Sequence, residues 1–207
     1  MAARKTLPDK IVDRAIDRAD KVGWARVRLH DVADDLGVSL SDVRRHYRDL
    51  DGVVDAWFKR ADLAMLVTRD QKGFELLPPR DRISAVIVRW LDVQASHRRT
   101  VRDMLAAKMY PGHPHHNIAL VTALSRTVQW IREAAGLDAS GRRRQLEEIG
   151  LTALFTAVVF IWLRDESDGQ SRTKAFLDRS LAGSDRIMAR MFESSSSAAD
   201  QGDDVEA

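Results

Sequence analysis

The chain has 207 residues, with 33 Lys and Arg against 31 Asp and Glu, 44% hydrophobic residues and no Cys. That length supports one domain or two small ones with a real buried core, and the composition is that of an ordinary globular protein, not a disordered, collagen-like or disulfide-stapled one. The lack of Cys excludes thiol nucleophiles, Cys-ligated zinc, iron–sulfur clusters and disulfides together.

The opening Met1-Ala2-Ala3-Arg4-Lys5 leads into a charged helical pattern with no apolar signal-peptide core, so a cytoplasmic location is expected. The first helix should begin near Pro8 and Asp9, carry Ile11, Val12, Ala15, Ile16 and Ala19 on one face, and stop at Gly23. A short helix over residues 30–36 ends at Gly37, and another follows over 40–47. A longer one over 51–68 turns Val53, Val54, Trp57, Phe58, Ala61 and Met65 inward. Gly73 and Pro78-Pro79 interrupt the periodicity at 71–79 and mark a link.

In the fifth helix, Ile83, Val86, Ile87, Trp90 and Leu91 repeat at helical spacing. A sixth covers 98–109 and is broken by Pro111-Gly112-His113-Pro114. The seventh carries Val121, Leu124, Val128, Ile131 and Ala135 and stops at Gly136. The eighth runs over 141–164 and the ninth over 171–192. No period-2 strand pattern appears, so the expected fold class is all-α with about nine helices. Residues 149–163 are the most apolar stretch. At 15 residues they fall short of the about 20 that span a bilayer, so burial in a core or subunit interface is expected. The tail, 194–207, has a serine run and four acids, contributes −4 and reads as disordered, leaving +6 on the rest of the chain.

The most specific pattern lies near the N-terminus. Leu29, Val32, Ala33 and Leu36 form one helix face, Gly37 permits a tight turn, Val38 plugs it and Ser39 caps the next helix. Val43 and Tyr47 face back, and small Ala33, Gly37 and Val38 let the two helices approach. This is the pattern of a helix-turn-helix, whose second helix can enter a major groove.

With Gly23-Trp24, Asp31-Val32-Ala33, Gly37-Val38-Ser39 and His46-Tyr47, residues 8–60 resemble the TetR family of transcriptional regulators. The resemblance implies an all-α homodimer, with a DNA-reading domain at 1–50 and a ligand-binding and dimerisation domain at 51–193. Its implied partners are a double-stranded DNA operator, a small apolar effector or lipid, and a second copy of the chain. The implied DNA-reading residues are Arg28, His30, Ser39, Leu40, Ser41, Asp42, Arg44, Arg45, His46, Tyr47 and Arg48. Leu40, Ser41 and Asp42 stand where the family commonly has a cation, Gly and Thr. Arg44 replaces a usual Tyr, and Leu50 a usual Lys.

A second resemblance covers residues 80–181, carried by Trp130-Ile131-Arg132-Glu133-Ala134-Ala135-Gly136 and Trp162-Leu163-Arg164-Asp165-Glu166-Ser167. These are similar to the C-terminal domain of the coenzyme Q biosynthesis lipid-binding family, which implies an alternative: isoprenoid binding beneath a vestigial DNA-reading helix. Trp90, Met104, Met109, Trp130, Phe155 and Trp162 are the candidate lining of an apolar ligand cavity, with plain core packing as the competing reading. His113, His115 and His116 form the one His cluster, but a polar surface loop explains them better than a metal site. Asp34-Asp35 and Glu147-Glu148 are adjacent on helices, point apart and read as solvated faces. The triplet at 142–144 reads as an exposed basic corner opening a helix. No catalytic constellation and no cofactor site is expected.

Overall fold

Thr6 opens the first helix: its hydroxyl accepts from the Asp9 amide, and Pro8 occupies the first turn, where a missing amide hydrogen costs nothing. The computed structural model describes residues 5–109 and 114–183, without the side chains of 114–123. These residues form nine α-helices and no strand. They are α1 (Leu7–Val22), α2 (Leu29–Leu36), α3 (Leu40–His46), α4 (Leu50–Leu66), α5 (Pro79–Asp92), α6 (Arg98–Lys108), α7 (Pro114–Ala135), α8 (Gly141–Trp162) and α9 (171–183). The end of the expected ninth helix, His113 and the acidic tail lie outside the described residues, as do the side chains of His115, His116 and Val121.

Gly37 has φ +65° and ends α2 in the left-handed conformation, so that Val38 can donate to the Ala33 carbonyl and α3 can start within three residues. Val32, Ala33 and Val43 are buried against Ile11, Val12, Ala15 and Ile16 of α1. This first layer joins the rest through α4, which packs on α1 and on α5 and α7, and through α6, whose Thr100 donates to Asp20 of α1 at 2.6 Å. Arg60 of α4 holds Asp13 at 2.5 Å and Asp9 at 3.1 Å. Burial would raise the Asp13 carboxyl, but Lys5 and Arg60 together hold it below its ordinary value.

One apolar core runs the length of the described chain, from Ile11 in α1 through Met65 in α4 and Trp90 in α5 to Trp162 in α8 and Leu177 in α9. The link at 67–78 is two short 3-10 turns pinned by the buried Phe74.

α8 is covered on one face within the chain. It buries Leu151, Phe155, Val158 and Trp162 within the chain, while Ile149 and Phe160 are 67% and 58% exposed. A helix apolar all round has two faces to cover, and this chain covers one. By length and composition α8 also meets the requirement for crossing a bilayer, a requirement that core helices of soluble proteins meet as well.

Candidate nucleic-acid interface and ligand cleft

α3 starts with a reciprocal cap. Ser39 Oγ accepts from the Asp42 amide at 3.1 Å, and Asp42 Oδ2 accepts from the Ser39 amide at 3.2 Å. Hydrogen bonds from the Ser39 side chain and backbone hold the Asp42 carboxyl below its usual range. Asp42 is therefore tied to the helix it opens, and its other oxygen takes Arg45 at 2.8 Å. Arg48 pairs with Asp49 at 3.3 Å, and Arg28 folds onto the carbonyls of Ala25 and Val27. Tyr47 is half-buried, its hydroxyl donating to the Pro8 carbonyl at 3.3 Å, so it fastens α3 to α1. Arg44 has no acid partner among the described residues. Arg28, His30, Leu40 and Arg44 line one shallow outward hollow of about 330 Å³ over Leu29 and Val43, with Leu40 51% exposed. Ser41 and His46 are exposed on the same short helix.

The six residues expected to line an apolar cavity do not converge. Trp90 is buried, stacks on Phe58 at 6.0 Å, meets Phe155 edge-on at 5.0 Å and donates its indole N–H to Asp62 at 2.9 Å. Met104 is fully buried, whereas Met109 lies on the surface and Trp130 is 49% exposed. The helix-period stripe brings Trp90, Met104 and Phe155 inward as members of the common core, where Trp90 packs on Phe58 and Phe155. Trp162 is a structural anchor: its N–H donates to Gln170 at 2.6 Å, Gln170 donates to Asp92 at 2.8 Å, and Arg98 lies over its ring. In the same motif Asp165 accepts from Ser167 and Thr173 amides and hydroxyls. Burial alone would raise its carboxyl, but these four donors push it far below the ordinary range. The segment 162–167 thus fixes the corner between α8 and α9.

A larger opening lies elsewhere, between the start of α5, the end of α7, the first half of α8, and α9. It is a half-open cleft of about 680 Å³ over Ile83, Leu137, Leu151 and Leu154. Arg82, Arg143 and Glu147 stand along it. Glu147, expected to be solvated, is mostly buried and takes Arg132 at 3.5 Å and Arg143 at 3.2 Å. Arg132 itself is only 3% exposed. Position in sequence had no means of revealing this cleft, because Arg82, Gly136 and Leu151 meet only through packing. Gly136 as a helix stop was its one legible part.

Searched against known proteins, the chain is similar to a solved TetR transcriptional regulator from Nitrosomonas europaea, with 41% identity over 85% of this chain and 96% of that one, at a TM-score of 0.76. The chain belongs to the TetR family. The TetR assignment is accompanied by fold-level likeness to a TetR regulator from Rhodococcus sp. RHA1 (18% identity, 84% and 92% coverage, TM-score 0.64). A TetR-family regulator from Thermus thermophilus shares the fold too (14% identity, 84% and 98% coverage, TM-score 0.53). The COQ9 family model matches residues 120–188 of this TetR-family chain, the region whose two tryptophan motifs carry the coenzyme Q resemblance. No curated protein sequence matches it.

Proposed function

We propose that this TetR-family chain is a cytoplasmic one-component transcriptional regulator without enzymatic activity. It works as a homodimer that reads an operator through residues 1–50 and responds to a small effector with an apolar body through 51–193. The observation that carries the DNA reading is the outward hollow at the junction of α2 and α3, where Arg28, His30, Leu40 and Arg44 come together. Arg44 is placed to meet a phosphate or a guanine edge, and Leu40 a thymine methyl. The exposed apolar face of α8 supports the homodimer, whose two heads must sit about 34–36 Å apart to enter successive major grooves. An effector that favours a different spacing then releases the operator by population shift.

The test is titration of the protein onto a palindromic fragment from its own genomic neighbourhood at several salt concentrations. Specific binding with a steep salt slope is expected; equal weak binding to scrambled DNA refutes the regulator reading. A second reading has its own support. The COQ9 match over 120–188, and a head whose Arg45 and Arg48 are both committed to acids, favour a lipid- or isoprenoid-binding protein with a vestigial DNA-reading helix. Mass spectrometry of an organic extract of the purified protein decides that reading: a co-purified prenyl lipid together with no operator affinity supports it.

A further inference from the structure

The cleft beside α7 contains a cation whose hydrogen bonding is incomplete. Arg82 of α5 is half-buried, makes no hydrogen bond or ion pair through its side chain among the described residues, and has its Nε enclosed without an acceptor. A desolvated guanidinium N–H left unpaired is costly; Arg98 and Arg132 also enclose an unpaired Nε, but their guanidiniums have partners through another nitrogen, and that of Arg82 has none among the described residues. The nearby acids do not meet this need. Glu147 is already engaged by Arg132 and Arg143, and Asp138, the other acid of the cleft lining, forms no ion pair with Arg82.

The surroundings concentrate further positive charge at the same place. A Cβ on Gly136 would lie 2.9 Å from Arg82 Nη1 and 3.9 Å from Arg69 Nη1, so the glycine leaves room for two guanidiniums to converge. Gly136 has φ +63°, a conformation that other residues adopt only with strain. Arg69 donates to the Glu133 carbonyl at 2.7 Å, which accounts for its position at the carbonyl end of α7, and it pairs with Glu75 at 3.8 Å, so Arg82 is the cation left without an acid. The same helix dipole favours Arg82, but it supplies no acceptor for Nε.

Below these cations the cleft is aliphatic, formed by Ile83, Leu137, Leu151 and Leu154. Its volume of about 680 Å³ falls inside the roughly 300–1,000 Å³ of small-molecule sites. We propose that the cleft binds a single-chain anionic amphiphile, its carboxylate on Arg82 with Arg69 beside it, and its aliphatic chain along Leu137, Leu151 and Leu154. This rests on the reading of residues 51–193 as the effector domain, and it gives that effector a chemical class and a seat. A carboxylate accepts two parallel N–H bonds from the accessible, unpaired Nη edge of the Arg82 guanidinium and neutralises its charge.

The experiment is calorimetric titration of the full chain with dodecanoate, dodecanol and dodecyltrimethylammonium, which share a chain and differ in head charge. Dodecanoate should bind at least tenfold more tightly than the other two. Arg82→Gln should weaken dodecanoate on the order of ten- to a hundredfold, while Arg82→Lys keeps part of the affinity. Should Arg82→Gln fail to fold, Ala139→Glu adds a repelling charge at the mouth of the cleft without opening the core, and should weaken dodecanoate selectively. Equal binding of all three amphiphiles, or dodecanoate binding indifferent to both variants, overturns the proposal and leaves an apolar effector standing. No amphiphile binding by a protein that still binds its palindrome also overturns it, with the regulator reading intact. Charge-selective, Arg82-dependent binding by a protein with no operator affinity upholds the cleft and removes the regulator reading.

Discussion

The head, α1 to α3, and the helix α8 solve the problem of apolar surface in opposite ways. In the head, Ile11, Val12, Ala15, Val32, Ala33 and Val43 are all buried within the chain, and Leu40 is the one large apolar side chain of α3 left in water. α8 keeps Leu146, Ile149 and Phe160 exposed after its own core-facing residues are satisfied. The head is complete as a packed unit, and α8 is half of one. A contiguous apolar face marks an interaction surface, and on the proposed reading the bundle is the seat of the second subunit and the head that of the polyanion.

The largest expected effect breaks that contrast at α8. The double substitution Ile149→Asp and Phe160→Asp should convert a sedimenting dimer to monomer and lower operator affinity by about 10²–10⁴, because the two heads no longer bind as one. A variant that remains dimeric and keeps its affinity moves the seam elsewhere. The next effect sharpens the head. Arg44→Ala should reduce the salt slope of operator binding by about one unit, whereas Arg45→Ala should change it less, since Arg45 already serves Asp42. Equal slopes for the two variants mean the Asp42 pair opens on binding.

A smaller effect tests whether the head is self-sufficient. Ser39→Ala removes the cap of α3 and should cost about 1 kcal/mol in thermal unfolding. An unchanged Tm shows that packing of Val43 alone holds the recognition helix.

The smallest effect concerns the bundle. Burial raises the Asp62 carboxyl above its ordinary 3.8, against opposing hydrogen bonds from Trp90 and Thr127. A raised folded pKa gives a contribution that is complete below the unfolded value and declines as pH rises through the folded one. Asp62→Asn should therefore match or exceed the parent in Tm at neutral pH and lose that advantage near pH 4. A constant difference between the two proteins across that range assigns the effect to packing.

The helix-turn-helix was legible because its signals are local. Ser39 as a cap, Gly37 after Leu36, and Val32, Ala33 and Val43 at helical spacing each act within a few residues, whereas the bond that the Ser39 amide donates to Asp42 emerged from the structure. The six proposed cavity residues were not, and for a matching reason. Trp90, Met104, Phe155 and Trp162 carry the same helical periodicity whether they line a hollow or fill it. The difference lies in partners far along the chain, such as Asp62 for Trp90 and Gln170 for Trp162.

By itself the sequence determined where helices begin and end, that the chain is all-α, and that one helix pair has the helix-turn-helix pattern. Caps, glycines and the 3.6-residue period act at short range and need no tertiary knowledge. Only the folded chain decided which face of α8 is covered, that Glu147 is enclosed between Arg132 and Arg143, and that Arg82 meets Gly136 without an acceptor. Those outcomes depend on the packing of helices separated by long stretches of sequence, and burial and ion pairing are properties of that packing.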